Sequence, residues 1–123
     1  MTVIIHFLNG NDIEMEIHYR QKEYRNDVIL EINGLFYEVY FFVYDSFKYE
    51  LTQDGFFSLP GIIVLDEISN KKIYTAINSL IDHNYFDNFI GQNTMPINSR
   101  FMDRWYLNNF NYTLDRRSTY NLR

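Results

Sequence analysis

The stretch Val28-Ile29-Leu30-Glu31-Ile32-Asn33-Gly34-Leu35-Phe36-Tyr37-Glu38-Val39-Tyr40-Phe41-Phe42 decides the fold. Asn33-Gly34 is a favoured pair for a two-residue type I′ turn, since both central positions need positive φ and these residues tolerate it best. A two-residue loop pairs Ile32 with Leu35, Leu30 with Tyr37 and Val28 with Val39, giving a face that is apolar or tyrosine throughout. The opposite face carries Ile29, Glu31, Phe36, Glu38, Tyr40, Phe42 and Tyr44, a mixture of acids and large aromatics. Two environments suit such a mixture. One is a protein interface with aromatic anchors and a charged rim; the other is a strand face covered by a helix. Tyrosine, apolar in body and polar at the tip, fits both.

Toward the N-terminus, Val3, Ile5 and Phe7 alternate with Ile4, His6 and Leu8. After Asn9-Gly10-Asn11, Ile13, Met15, Ile17 and Tyr19 alternate with Glu14, Glu16 and His18. Period-two alternation on both sides of a Gly-containing turn predicts a first hairpin, with Gly10 left-handed and His6 opposite Glu14. Toward the C-terminus, strands are expected over 47–52 and 62–65, with turn signals at Asp54-Gly55 and Pro60-Gly61. The period then changes: Ile73, Ala76, Ile77, Leu80 and Ile81 recur at helical spacing after Ser69-Asn70, which predicts a helix near 70–83. Beyond Gly91 the chain is Asn-rich and broken by Pro96; Phe101, Met102, Trp105 and Tyr106 suggest a second, short helix, and 115–120 has no clear period. The expected architecture is one α+β domain over 1–123, with a mostly antiparallel sheet built from N-terminal hairpins, one main helix and a short C-terminal helix.

With 123 residues, 46% of them hydrophobic and 19% aromatic, the chain is large and apolar enough to bury a core without disulfides or metals. It has no cysteine, which excludes a thiol nucleophile, a disulfide framework and thiolate zinc sites. The N-terminal apolar run starts without basic residues and stops at Asn9-Gly10, far short of a signal segment or membrane span, so a cytoplasmic protein without membrane contact is expected. The net charge of −5 is uneven: residues 1–92 carry −8 and residues 93–123 carry +3. An acidic body repels nucleic acid and steers basic proteins toward it.

No catalytic constellation is legible. The three histidines, His6, His18 and His83, fall on separate elements without a partner motif, and a cross-strand charge pair is the ordinary explanation for His6. Metal-ligand spacing is lacking: Asn9-Gly10-Asn11-Asp12 has neither the spaced ligands nor the terminal Glu of a calcium loop. The five glycines are isolated, so no phosphate-binding loop is present and no cofactor is expected. Arg100, Arg104, Arg116, Arg117 and Arg123, with Trp105 and Tyr106, could grip a nucleic acid, but a basic tail folding back on an acidic body is the simpler account.

The acidic single domain, the turns at Asn9-Gly10 and Asn33-Gly34 and the Tyr- and Phe-rich strand 35–42 together resemble the small immunity proteins of bacterial contact-dependent growth inhibition and related polymorphic toxin systems. The likeness is one of overall character, with no shared residue motif. It implies a stoichiometric, non-catalytic role against one cognate toxin encoded alongside. The charge points to a basic nuclease domain, with Glu14, Glu16, Glu31, Glu38, Glu50 and Asp54 standing in for substrate phosphates and Tyr40 beside them. Two other classes fit less well. An acidic secretion chaperone would be an obligate dimer and would more typically begin with a helix, and a small nuclease would need a catalytic cluster that cannot be named.

Overall fold

The computed structural model describes residues 2–55, 60–95 and 110–114. Among them, five strands form one sheet: β1 (Val3–Phe7), β2 (Tyr24–Ile32), β3 (Leu35–Val43), β4 (Ile62–Leu65) and β5 (Phe110–Leu114), in the order β4-β3-β2-β1-β5. Three helices, α1 (Ile13–Lys22), α2 (Tyr44–Asp54) and α3 (Asn70–Asp82), and a 3₁₀ turn over Tyr85–Asn88 complete an α+β fold. Three strand pairings are antiparallel; the fourth, β3 with β4, is parallel and is bridged by α2. The helix expected at 101–106 and the segment 115–120 lie outside the described residues.

The central hairpin has the expected register, with Ile32 opposite Leu35, Leu30 opposite Tyr37 and Val28 opposite Val39. Asn33 and Gly34 both have positive φ, 50° and 83°, as a type I′ turn requires. The face carrying Val28, Leu30, Val39 and Phe41 joins Val3, Ile5 and Phe7 of β1 in the main core, and Ile73, Ile77 and Ile81 of α3 close over it. α3 begins where Ser69 caps it, its hydroxyl accepting from the Lys72 amide at 3.2 Å. Burying each of these aliphatic side chains contributes roughly 1.5–3 kcal/mol, so the α3–sheet contact is a main source of stability.

Two expected strands are helices. Residues 13–19 belong to α1, and His6 therefore lies opposite Ile29 of β2 rather than opposite Glu14. The Asp12 side chain caps α1 by accepting from the Met15 amide at 2.9 Å, Glu14 and Glu16 occupy the first turn, and Arg20 and Lys22 occupy the last, each sign complementing the helix dipole. Wrapped on a helix, the alternating apolar residues split into two stripes. Met15 and Tyr19 pack on the core, while Ile13 and Ile17 stay 64% and 43% exposed. Residues 47–52 belong to α2, which ends at Gly55 in a left-handed cap (φ 79°); Phe47 and Leu51, one turn apart, are its half-buried side.

A charged residue sits at the centre of this arrangement. β2 carries a one-residue bulge between Arg25 and Val28, and Arg25 there is buried to 1% exposure. Its guanidinium lies 4.7 Å from the Phe7 ring centroid and 4.4 Å from that of Tyr19. Nε donates to Asp27 Oδ1 at 2.8 Å, and Nη2 donates to Asp27 Oδ2 at 3.2 Å and to the Gly10 carbonyl. Asp27 in turn accepts from the Asn9 amide at 3.0 Å. The pair thus ties the β1–α1 connection to β2. Arg25→Met, which strands a buried carboxylate, is expected to lower stability by about 3–5 kcal/mol. The double variant Arg25→Met/Asp27→Leu should lose less than the single one, and urea denaturation of both measures the difference.

Candidate partner-binding site

β3 has two edges. Leu35, Tyr37, Val39 and Phe41 face β2 through the hairpin register, and the alternate residues turn their backbone groups outward. At Phe36 the outward pair bonds Gln92, with Phe36 N to Gln92 O at 2.8 Å and Gln92 N to Phe36 O at 2.9 Å. At Tyr40 the amide donates to the Gly61 carbonyl at 2.9 Å, where β4 begins. Two segments from distant parts of the chain are therefore docked on one strand, four residues apart, or roughly 13 Å at the usual strand rise. Between them opens a cleft of about 390 Å³, lined by Phe36, Tyr37, Glu38 and Tyr40 of β3, by Pro60 and Gly61 on one side, and by 88–90 and Gln92 on the other.

Each wall is seated by a glycine. Gly61 (φ 81°) lies so close to the Glu38 carbonyl oxygen that a Cβ there would overlap it. A Cβ on Gly91 would fall 2.7 Å from Leu35 Cβ and 2.8 Å from Tyr37 Cζ. Behind the second wall, Phe89 packs on Tyr85 and Phe86, with centroids 5.0 and 5.8 Å apart, and Phe86 packs on Tyr37 at 5.6 Å. Ile90 stands on the rim, 95% exposed.

The acids singled out from the sequence separate into different settings. Glu38 and Tyr40 come together in the cleft, Glu38 half-buried and Tyr40 buried. Glu31 shares their sheet face but is engaged by His6, whose Nε2 lies 2.8 Å from Glu31 Oε1, with the His6 ring 5.9 Å from that of Phe36. Glu14 and Glu16 belong to α1, whose Met15 and Tyr19 join the core on the other face of the sheet. Glu16 is structural: its Oε2 accepts the Asn70 amide at the start of α3 at 2.5 Å and lies 3.8 Å from Arg20 Nη2, while Glu14 is exposed. Glu50 and Asp54 fall on α2, with their side chains outside the described residues. The aromatic-and-acid face is therefore not covered by α3, which packs opposite; Leu8 and Ile29 are buried on it, with Phe36 and Met95 packed against them. Tyr44 is the first residue of α2 and not part of that strand face.

The histidines stay apart, His6 on β1, His18 exposed on α1 and His83 capping α3 with Nδ1 2.7 Å from the Ser79 carbonyl. Among the described residues no group of three or more His, Cys, Asp or Glu could hold a metal ion, and no helix is long and apolar enough to cross a membrane. The sequence reading missed the wall formed by 88–92. Its signal was the aromatic run Tyr85-Phe86-Asp87-Asn88-Phe89 directly after α3, followed by a glycine that serves a close approach rather than a turn.

No family model matches the chain, and searches of curated proteins and of solved structures gave no match.

Gly61→Ala and Gly91→Ala are each expected to cost about 1–3 kcal/mol through overpacking and to shift the NMR signals of Phe36, Tyr37 and Tyr40. Gly55→Ala, with an equally left-handed φ of 79° but open space around it, should cost only about 1 kcal/mol and leave those signals in place.

Proposed function

We propose that this protein is an immunity protein that acts in the cytoplasm, binding a cognate bacterial toxin stoichiometrically and neutralising it without catalysis. The observation that carries the reading is the cleft on β3, lined by Phe36, Tyr37, Tyr40 and Phe89 together with Glu38, on a body whose first 92 residues carry a net charge of −8. Aromatic residues with restricted rotamers make good interface anchors, and a concave, partly apolar site gives them something to enclose. The charge suits a basic toxin domain, and nucleases are basic because they bind phosphates. Carboxylates presented to such a domain occupy the positions where phosphates would sit.

The structure also sharpens which acid to test. Reversal at Glu16 or Glu31 would disturb the α3 start or the His6 contact, so an affinity change there would be ambiguous. Glu38→Lys is the probe that lies in the cleft itself. Affinity capture of the tagged protein from its native host is expected to retain one basic protein with a toxin-like C-terminal domain. Its affinity should fall at least tenfold for Glu38→Lys, and raised salt should slow its association. Unchanged affinity after that reversal would remove the cleft from the interface, and an obligate homodimer by light scattering with no captured partner would favour a chaperone.

A further inference from the structure

We infer that Asn33 is a site of spontaneous covalent modification, losing its side-chain amide to solvent through a cyclic imide formed with Gly34, while the fold protects the chain's other Asn-Gly pair, Asn9-Gly10. The inference is independent of the immunity reading.

In an Asn-Gly pair the backbone nitrogen of the glycine can attack the side-chain carbonyl carbon of the asparagine. Glycine offers the least hindered nitrogen for this, because no Cβ crowds it. The steps balance with water as the co-reactant. The Gly34 nitrogen gives its proton to solvent base and bonds to Asn33 Cγ; the Cγ–Nδ2 bond breaks, and Nδ2 leaves as ammonia after taking a proton from water. Water then opens the five-membered imide at one of its two carbonyls. Attack at Cγ restores the ordinary peptide link and leaves aspartate. Attack at the main-chain carbonyl breaks its bond to the Gly34 nitrogen and leaves the chain running through Cγ, as isoaspartate.

The two pairs share this chemistry and differ in their surroundings. Asn33 and Gly34 are both exposed at the tip of the β2–β3 hairpin. The Thr2 amide donates to Asn33 Oδ1 at 3.2 Å. Negative charge builds on that oxygen as the nitrogen attacks, and a donor already in place there lowers the barrier. A Cβ built on Gly34 would meet nothing within 4 Å, so there is room for the ring and for the water that opens it.

At the other pair each reacting group is engaged. The nucleophile, Gly10 N, donates to the Phe7 carbonyl at 3.0 Å, and the Gly10 carbonyl accepts from Arg25. The leaving group, Asn9 Nδ2, donates to the Tyr19 hydroxyl at 2.5 Å, and the Asn9 amide donates to Asp27 Oδ2 at 3.0 Å. Asn9 Oδ1 is buried and has no hydrogen-bond partner among the described residues, so charge developing on it is costly. Ring closure turns the side-chain amide toward the glycine nitrogen. At Asn9 that motion breaks several contacts in the interior; at Asn33 it moves a side chain in solvent.

The products differ in their effect on the hairpin. Aspartate suits a type I′ turn as asparagine does, and it keeps an oxygen to accept from Thr2. Isoaspartate adds a methylene to the main chain between Ile32 and Leu35, inside a loop whose length fixes the register of β2 with β3.

The test is incubation of the full-length protein in warm, mildly alkaline buffer made with heavy-oxygen water, followed by proteolysis and mass spectrometry with fragmentation that separates aspartate from isoaspartate. The expected result is heavy oxygen at Asn33 in both products, appearing at least about tenfold faster than any change at Asn9, as a difference in attack geometry of this kind produces. The same incubation in concentrated urea should bring the two rates together, because the contacts that separate them are gone. Reaction at Asn9 as fast as at Asn33 in the folded protein, an unmodified Asn33, or a rate difference that persists in urea each overturns the inference. Labelled aspartate without isoaspartate overturns the imide route.

Discussion

The Asn33-Gly34 turn is the constraint on which the rest of the structure depends. Because both residues occupy positive φ, the hairpin can close with two loop residues only, and the pairing of β2 with β3 is fixed from that point outward. Side chains on a strand alternate strictly, so a slip of one residue would carry Val28, Leu30 and Val39 out of the core and Glu31 and Glu38 into it. The same register decides which backbone groups of β3 turn away from β2. Those at Phe36 and Tyr40 hold Gln92 and Gly61, so the cleft is a direct geometric consequence of a two-residue turn.

A second constraint acts at the other end of the hairpin. The bulge in β2 lets Arg25 and Val28 both reach the core side of the sheet, and Arg25 lies there between the Phe7 and Tyr19 rings with its charge neutralised by Asp27. A buried ion pair of this kind is a poor source of net stability but a strict specifier, since removing either partner leaves an unsatisfied charge in an apolar setting. It gathers β1, the 8–12 connection, α1 and β2 into one arrangement. With β2 and β5 on its two sides, β1 has no edge left for residues 13–19.

The acidic character of the protein is more differentiated than its net charge. Glu16 holds the first amide of α3, Glu31 holds His6, and Asp27 holds Arg25, so several carboxylates serve the fold. Glu38 lines a concave site together with Phe36, Tyr37 and Tyr40. On the proposed reading, the long-range field of the acidic body would guide a basic partner, and the cleft on β3 would discriminate at short range.

The sequence by itself determined the central hairpin, its register, the two distinct faces of β3, the strand at 62–65 and the α3 helix, because each is written in local chemistry: a turn that needs Asn-Gly, a period of two, a period of 3.6 behind a serine cap. It placed Glu38 and Tyr40 on the face of β3 opposite the one that joins the main core. Tertiary structure decided the rest. The alternation over 13–19 is compatible with a strand and equally with a helix that leaves Ile13 and Ile17 in solvent, and the choice was made by the Asp12 cap and by a sheet in which β1 already had its neighbours. Residues 47–52 became helical because the parallel pairing of β4 requires a crossover, and a helix provides it. The cleft was illegible for a similar reason: its walls come from positions 60–61 and 88–92, some 30 residues apart, and only docking on the same strand edge brings them together.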